Sequence, residues 1–418
     1  GLVGSEMCIR DRKNFMKKSM IVAAMLAMVA TGANAKSATD SATIAKNKPV
    51  FTVVKQNPIT SIKDQNRSGT CWAYSTLSYF ESEILKHTGK TYDLSEMFVA
   101  NKTYMDRATM AVRMHGDVSF SQGGSAYDVL YALQHYGIVP EGAMPAPGTL
   151  TGDSLANFGE FFDVMTPYVE AVAKSNAKKI SSAWKSGLQG IIDSYIGKTP
   201  EKFTYQGKQY TPQSFCQSLG LNLDDYVTIT SYTHHPMWSK FAVEVQDNWR
   251  WPLSYNVPMD DLCKIIDNAI NNGYTIAWGG DVTEDGFTRK GLGIAYDVKK
   301  VRSMAGTDAD HWFKLSKDEK KEKFDSLGVN APEVVPTQAM RQEAFDNWET
   351  TDDHGMHIYG IAKDQNGKEY YMVKNSWGEY GDYKGTWYMT KAFVAYKTMD
   401  FMVNKNAIPK DIRKKLGI

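Results

Sequence analysis

The order of hydrophobic patterns along the chain constrains the fold most strongly. Helical periodicity comes first, at residues 71–86, 94–108 and 124–135. Apolar or aromatic strand-like runs fill the last third, at residues 354–362, 369–373 and 386–390. Asn366-Gly367 separates two of these runs and predicts a tight hairpin. Helices followed by strands indicate an α+β fold rather than a doubly wound sheet.

Residues 150–250 differ in sequence pattern from the rest of the chain. Two amphipathic patterns, at residues 158–175 and 180–195, are joined by a lysine-rich turn. We interpret this region as a long helical insertion. A further helix at residues 258–271, with acidic residues in its first turn and Gly273 just past its end, precedes a buried strand at 274–278.

The N-terminal segment has the parts of a secretory signal. Lys17 and Lys18 precede an eleven-residue apolar run, and Ala33-Asn34-Ala35 is a small-x-small cleavage site. The apolar run is too short to span a bilayer. We expect cleavage after Ala35, a secreted or periplasmic protein, and no membrane anchor afterwards; the alternative is a buried core helix.

The predicted domain organisation follows from this leader. Residues 1–35 combine an extraneous leader with the signal peptide, and residues 36–50 form a flexible leader. Residues 51–418 form one enlarged domain with the insertion at about 150–250.

Composition excludes several classes of partner and scaffold. Lys and Arg number 48 against 47 Asp and Glu, so the formal net charge of +1 gives no reason to expect nucleic acid as a partner. Four cysteines are too few for a disulfide scaffold. We expect Cys216 and Cys263 to be buried hydrophobic residues, with a disulfide between them as the alternative.

The loop at residues 65–70 runs directly into a predicted helix whose first residue is Cys71. A helix N-terminus favours a thiolate, which is the nucleophilic form of cysteine. Gln65 is placed to supply a side-chain N–H to an oxyanion beside the sulfur. The alternative for a cysteine taken alone is a buried structural residue.

Two further motifs lie on the predicted hairpin. His354 begins one strand and Asn375 follows the next, so the hairpin brings them side by side. We expect the Asn375 amide to accept the His354 Nδ1–H, leaving Nε2 to face a thiol, with Trp377 shielding this bond from water.

His357, His234 and His235 are expected to have no catalytic or metal-binding role. His357 lies on the opposite face of the strand from His354 and is expected to be packed. The His354–His357 spacing shows no third metal ligand, and His234-His235 is expected to be a surface pair, so no metal and no cofactor is predicted.

These motifs together resemble the papain-like cysteine peptidases, through the order Gln65, Cys71, His354, Asn375 and the tetrad Asn375-Ser376-Trp377-Gly378. Typical papain relatives carry a disulfide-bonded cysteine at the position of Ser68. A serine there is typical of the bleomycin hydrolase and aminopeptidase C branch. Gln122-Gly123-Gly124 is similar to the glycine wall of that branch. The similarity covers roughly residues 55–410.

The resemblance implies a fold, an activity and a set of site residues. The fold would be papain-like, with a helical left domain, a β-rich right domain and the helical insertion. The substrates would be peptides, cleaved through a thioester on the cysteine. The expected activity is that of an aminopeptidase that needs no cofactor. Family members also form hexamers. The implied catalytic residues are the nucleophile Cys71, the base and then acid His354, the orienting Asn375, and the oxyanion donor Gln65. The implied substrate-binding residues are Gly123, Gly124, Trp72 and Trp377.

Two alternatives to an aminopeptidase remain open. In the bleomycin hydrolase branch a C-terminal arm enters the cleft and restricts cleavage to N-terminal residues. Here the chain stops at residues 413–418, soon after a predicted helix at 409–416, so an endopeptidase with an open cleft is one alternative. A peptide-binding homologue without turnover is the other.

Overall fold

A computed structural model describes residues 47–148, 155–304, 316, 319–320, 324 and 326–418. The predicted leader and signal at residues 1–35, and most of the flexible leader at 36–50, lie outside the described residues. None of the described helices is both long and apolar enough to cross a membrane.

Helices dominate the first half of the described chain. The α-helices of the whole described chain are α1 (Cys71–Thr88), α2 (Glu96–Arg113), α3 (Ala126–His135), α4 (Gly159–Ala173), α5 (Ala183–Ile196), α6 (Pro212–Ser218), α7 (Met259–Asn271), α8 (Val298–Met304), α9 (Gln338–Asp346), α10 (Lys391–Lys397) and α11 (Lys410–Leu416).

The strands form one large mixed sheet and a small separate hairpin. Their bounds are β1 (Thr52–Gln56), β2 (Phe203–Tyr205), β3 (Lys208–Tyr210), β4 (Tyr226–Thr230), β5 (Lys240–Phe241), β6 (Ser254–Asn256), β7 (Ile276–Gly280), β8 (Phe287–Thr288), β9 (Leu292–Gly293), β10 (His354–Lys363), β11 (Glu369–Lys374), β12 (Thr386–Thr390) and β13 (Thr398–Asn404). The large sheet has the order β5-β6-β4-β13-β7-β10-β11-β12-β9-β8, with β1 added beside β10, and β2 pairs with β3.

The large sheet separates two hydrophobic cores. Alternate residues of a strand face opposite sides of a sheet. In β7, Ala277 joins a core built on helices α1 to α6, whereas Trp278 joins a core shared with α7, α10 and α11. In β13, Met402 and Phe401 divide in the same way. The predicted α+β class, with helices first and strands last, is confirmed.

Helix α1 is the element that places the nucleophile. Nearly all of its length is buried, and it packs against β10 and α3. The helix ends where the sequence predicts, at Gly89, whose positive φ of 70° is the left-handed conformation that glycine adopts without strain. Because α1 is held on several sides, the residue at its N-terminus is fixed relative to the sheet.

The insertion is helical only in its first part. Helices α4 and α5 pack against each other and against α2, close to the predicted patterns. After α5 the chain forms the β2–β3 hairpin and α6, and then β4 joins the large sheet beside β13. The later part of the region 150–250 therefore contributes to the sheet rather than to a helical unit.

Candidate active site

Cys71 is the first residue of α1 and is half-buried. It lines a cavity of about 170 Å³ together with His354 and Gly355. Burial raises the pKa of the Cys71 thiol to about 12, and a hydrogen bond with the Gly355 backbone offsets only part of this rise. The sequence predicts a thiolate favoured by the helix N-terminus. The raised pKa favours the neutral thiol, because the cost of burying a charge outweighs the effect of the helix N-terminus.

His354 begins β10 and is buried at the edge of the same cavity. Its Nε2 lies 2.8 Å from Oδ1 of Asn375, which directly follows β11. Burial lowers the pKa of His354 to about 4, although the bond to Asn375 acts in the opposite direction. The imidazole is therefore neutral, and Nε2–H donates to the amide oxygen.

The ring nitrogen that contacts Asn375 differs from the sequence prediction. We expect Nδ1 to bond the amide, but Nε2 does so. Helix α1 packs directly on the backbone beside the histidine: a Cβ placed on Gly355 would lie 2.7 Å from Ser75 Oγ and 3.3 Å from the Cys71 carbonyl oxygen. Nδ1 is the ring nitrogen nearer the backbone and does not bond Asn375, whereas the outer Nε2 reaches across to Asn375 after β11.

Trp377 covers the histidine rather than the cavity. Its ring lies 5.0 Å from the His354 ring and is itself supported edge-on by Trp387 at 5.4 Å. Trp377 is not among the described residues that line the cavity. Its position matches the predicted shielding of the His354–Asn375 bond, and substrate contact by Trp377 finds no support in this geometry.

Gln65 is buried beneath the loop that leads into α1. Its Oε1 accepts a hydrogen bond of 2.6 Å from Ser376 Oγ, and its Nε2 donates to the Ser68 carbonyl at 2.7 Å. One amide hydrogen remains for an oxyanion. Gln65 is not among the described residues that line the cavity. Its predicted role as an oxyanion donor therefore requires this one amide hydrogen to reach the cavity from behind the lining.

Gly123 and Gly124 line the cavity where the sequence places a glycine wall, and the nearby ring of Trp72 lines it too. A Cβ on Gly124 would lie 2.9 Å from the Trp72 ring, and one on Gly123 would lie 1.9 Å from Asp247 Oδ2. Both contacts are too short for a side chain. A side chain at either position would therefore force Asp247, Trp72 or the loop itself to move.

Arg107 and Asp247 hold this glycine loop, and sequence reasoning missed both. Arg107 is fully buried; its Nη1 donates to the Gly123 carbonyl at 2.6 Å and to Asp247 Oδ1 at 3.1 Å. The two residues are 140 positions apart, so only the fold brings them together. Asp247 follows Val243 and Val245 along one wall of the cavity.

Carboxylates line the cavity and no Lys or Arg does, among the described residues. The four are Asp247, Asp352, Asp353 and Asp400. Burial, reinforced by the charge of Asp247, raises the pKa of Asp352 well above its ordinary value. Burial likewise raises the pKa of Asp400 to about 6. The dipeptide Asp352-Asp353, immediately before His354, was the available sequence signal.

His357 faces α1 on the opposite side of the strand from His354. It is fully buried, and its Nδ1 lies 2.9 Å from Ser78 Oγ. Burial, with a smaller contribution from the Lys374 charge, lowers the pKa of His357 well below its ordinary value. The prediction of a packed, non-catalytic histidine agrees with this placement.

Cys216 and Cys263 belong to different cores and are both free. Cys216 packs with the helices, and Cys263 packs against the core on the other side of the sheet. The predicted burial is correct for Cys216, and Cys263 is half-buried. The alternative of a disulfide between them is wrong, since the sheet separates the two thiols.

Comparisons with known proteins decide the family. The model of the Peptidase C1-like family matches residues 6–417, nearly the whole chain. The chain belongs to the Peptidase C1-like family. It is therefore a cysteine peptidase, and the resemblance inferred from the motifs is confirmed.

Curated relatives are similar over most of their length. Aminopeptidase G of Lactobacillus delbrueckii subsp. lactis is 23% identical over 397 residues, covering 86% of this chain and 84% of the relative. Human bleomycin hydrolase is 21% identical over 419 residues, covering 89% and 86%. The crystal structure of PepW from Lactobacillus rhamnosis HN001 superposes with a TM-score of 0.65 at 19% identity, covering 93% and 92% of the two chains. This match confirms the papain-like fold; the roles of individual residues stay predictions.

Proposed function

We propose that this cysteine peptidase is an aminopeptidase that releases N-terminal residues from peptides. The observation that carries the proposal is the position of Asp352, a carboxylate in the same cavity as Cys71 and His354. Among the described residues, no hydrogen bond or ion pair reaches its side chain. The relatives named aminopeptidase G and aminopeptidase C support the same activity.

The chemical steps start from the neutral Cys71 thiol and the neutral His354 imidazole, the forms that burial favours. His354 Nδ1 takes the thiol proton as Cys71 Sγ attacks the scissile carbonyl carbon, whose oxygen becomes the oxyanion. The Cys71 backbone N–H and the remaining Gln65 amide hydrogen stabilise that oxyanion. The C–N bond then breaks and the proton passes from Nδ1 to the leaving amine, which leaves a thioester on sulfur.

Hydrolysis of the thioester reverses the proton path. His354 Nδ1 removes a proton from water as the oxygen attacks the thioester carbonyl. The C–S bond breaks, the proton on Nδ1 passes to sulfur, and the residue is released as a carboxylic acid that loses its proton to solvent. No net proton or electron is gained by the enzyme in the cycle.

Asp352 supplies the preference for a free N-terminus. A peptide α-amine has an ordinary pKa near ~8 and is largely protonated at neutral pH. An entering ammonium group brings the positive charge that the cavity lining lacks, and it lowers the pKa of Asp352 by favouring the carboxylate. The charge of Asp247 adds to the same negative potential, since it contributes to the raised pKa of Asp352. An N-blocked peptide brings no such charge.

The test compares a fluorogenic amino-acid amide with its N-acetylated counterpart, using the mature chain from Lys36 under reducing conditions. We expect kcat/KM to be roughly 10- to 100-fold higher for the free amine, the range of one charged hydrogen bond. Asp352→Asn should reduce that ratio. The exposed Asp260→Asn at the start of α7 is the matched control, and Cys71→Ala sets the background.

The outcomes separate the proposals. Equal or faster cleavage of the blocked substrate makes the protein an endopeptidase. No cleavage of either, with the fold intact and peptide still bound, makes it a peptide-binding homologue. Preference for the free amine that survives Asp352→Asn keeps the aminopeptidase and removes Asp352 from its mechanism.

We also propose that the protein is exported and assembles as a homo-oligomer. Support for export is the sequence of residues 16–35, and support for a hexamer is the family resemblance alone. N-terminal sequencing of the protein from a cell fraction should begin at Lys36, and light scattering on the purified mature chain should give a mass near six subunits. A cytosolic protein that keeps residues 16–35, or a monomeric mass, contradicts the respective part.

A further inference from the structure

Two adjacent histidines and a glutamate converge on one point outside the catalytic cavity. His234 and His235 lie in the loop between β4 and β5, and Glu244 follows β5. Nε2 of His234 lies 3.0 Å from Oε2 of Glu244, and Nε2 of His235 lies 2.8 Å from Oε1. One ligand atom from each of the three residues lies within 4.8 Å of the other two.

Packing fixes the two imidazole rings in this arrangement. The His235 ring stacks on Phe241, with centroids 4.2 Å apart, and the His234 ring stacks on Phe345 at 5.6 Å. The chain bends at His234 and His235, and this bend together with the two stacking contacts brings both rings to Glu244. The site is thus pre-formed in the fold.

Gln342 on helix α9 anchors the inner nitrogen of His234. Nδ1 of His234 lies 3.0 Å from Gln342 Nε2 and 3.3 Å from Gln342 Oε1. The amide can therefore donate to a bare Nδ1 or accept from a protonated one. In the second arrangement Nε2 is unprotonated and free to bind a cation, which is how outer partners orient metal-bound histidines.

The donor atoms select the class of ion. Two imidazole nitrogens with one carboxylate form a ligand set of catalytic and regulatory zinc sites, whereas Mg²⁺ and Ca²⁺ prefer oxygen ligands. Side-chain exposures of 28% for His234, 36% for His235 and 53% for Glu244 leave a path from solvent and room for water as a fourth ligand.

We propose that His234, His235 and Glu244 form a binding site for a divalent transition metal of the zinc class. The metal binds Nε2 of each neutral histidine when the ring proton lies on Nδ1, and a histidine that was doubly protonated releases its second proton to solvent. Bonds from the three side chains to the metal then replace the hydrogen bonds between the histidines and Glu244.

The position of Glu244 couples this site to the catalytic cavity. Its neighbours Val243 and Val245 both line the cavity, and Asp247 follows on the same wall. A metal bound to Glu244 links this wall to the β4–β5 loop. We therefore expect the metal to stabilise the wall and to change KM for peptides more than kcat.

The test uses the chelator-treated mature chain with Cys71→Ala, which removes a thiol that could compete for zinc. Titration with ZnCl₂ by calorimetry should show one site, and Co²⁺ should give the visible absorption of a four-coordinate site. Adding Glu244→Gln, which preserves size but replaces one carboxylate oxygen by an amide nitrogen, should weaken zinc binding by roughly 10-fold or more. His235→Asn should do the same.

The control is His87→Asn, which removes an exposed histidine near the C-terminal end of α1. Zinc binding that is lost in Glu244→Gln and kept in His87→Asn supports the site. Unchanged affinity in a folded Glu244→Gln protein, or no saturable zinc binding in the parent, overturns it. Both outcomes are independent of whether the enzyme prefers free or blocked peptides.

Discussion

His354 and His357 lie three residues apart on one strand, and their surroundings give them different chemistry. Both are buried and both have lowered pKa values. His354 meets a cavity on one side and Asn375 on the other, so it can exchange a proton with a reacting group. His357 meets Ser78 and the interior of the protein, so a proton on it would be a buried charge without compensation. The residue type alone did not distinguish them; the strand alternation did.

The two histidines should respond differently to substitution. His354→Ala should reduce kcat by several orders of magnitude because it removes the group that moves the proton, whereas His357→Asn should retain most of its kcat. Steady-state kinetics on the two purified variants check this. An inactive but folded His357→Asn protein would mean that the base is assigned to the wrong residue.

His357 also makes a specific contribution to the pH dependence of stability. Its folded pKa is depressed, so the unfolded chain takes up the proton first, below about 6.5. The stability that wild type has over His357→Asn is therefore present above that pH and is lost as pH falls. Between pH 7.5 and 5.5 the difference in free energy of unfolding should shrink by roughly 1 kcal/mol. Urea unfolding at the two pH values measures it; a difference independent of pH contradicts the assignment of a neutral buried ring.

At the scale of elements, the sequence predicts those whose local signals agree with their tertiary surroundings. Helix α1, the β10–β11 hairpin and β12 all lie close to their predicted bounds because periodicity, a glycine stop or an Asn-Gly turn marks them. Strands β5 and β6 were missed because two or three residues show no periodicity. Strand β13 was missed because it follows α10 directly, with no turn residue between them.

The candidate site divides in the same way. Cys71, His354 and Asn375 could be predicted because each belongs to a motif whose spacing has a chemical reason. Arg107 and Asp247 could not, because they lie far apart in sequence and neither stands in a recognisable pattern. The choice between Nδ1 and Nε2 of His354 also depends on how α1 packs against β10, which no local pattern contains.

The glycine loop before α3 provides a test of packing at the element scale. Gly123→Ala places a methyl group 1.9 Å from Asp247 Oδ2, so the loop or the carboxylate must move. We expect a loss of roughly 1–3 kcal/mol in stability and a fall in kcat/KM. Gly142→Ala is the matched control because nothing lies within 4 Å of its Cβ position. Thermal unfolding and kinetics on both variants suffice; a Gly123→Ala protein that behaves like Gly142→Ala would show that the wall is not tightly packed.

At the scale of the whole molecule, two cores on opposite faces of one sheet stabilise the fold without a covalent link among the described residues. The described cysteines are all free thiols. Stability and activity should therefore depend on reducing agent in different ways. Oxidation of Cys71 blocks the nucleophile, whereas no described disulfide is there to be lost.

This independence predicts the effect of dithiothreitol on the mature chain. Activity should rise on reduction, and the midpoint of thermal unfolding should stay the same within error. Activity assays and differential scanning fluorimetry with and without the reductant measure the two quantities. A clear fall in the unfolding midpoint on reduction would reveal a disulfide that contradicts this structure.

The two loops of the catalytic centre are tied to each other by their backbones. Gln65 N–H donates to the Ser376 carbonyl at 2.8 Å, Gly378 N–H donates to the Lys63 carbonyl at 3.0 Å, and the Ser376 hydroxyl holds the Gln65 side chain. The cavity walls at residues 123–126 and 243–248 belong to neither loop. Substitutions in those walls can alter which peptides are accepted while the reacting groups keep their spacing. The substrate specificity of such a peptidase can therefore change while its catalytic geometry is kept.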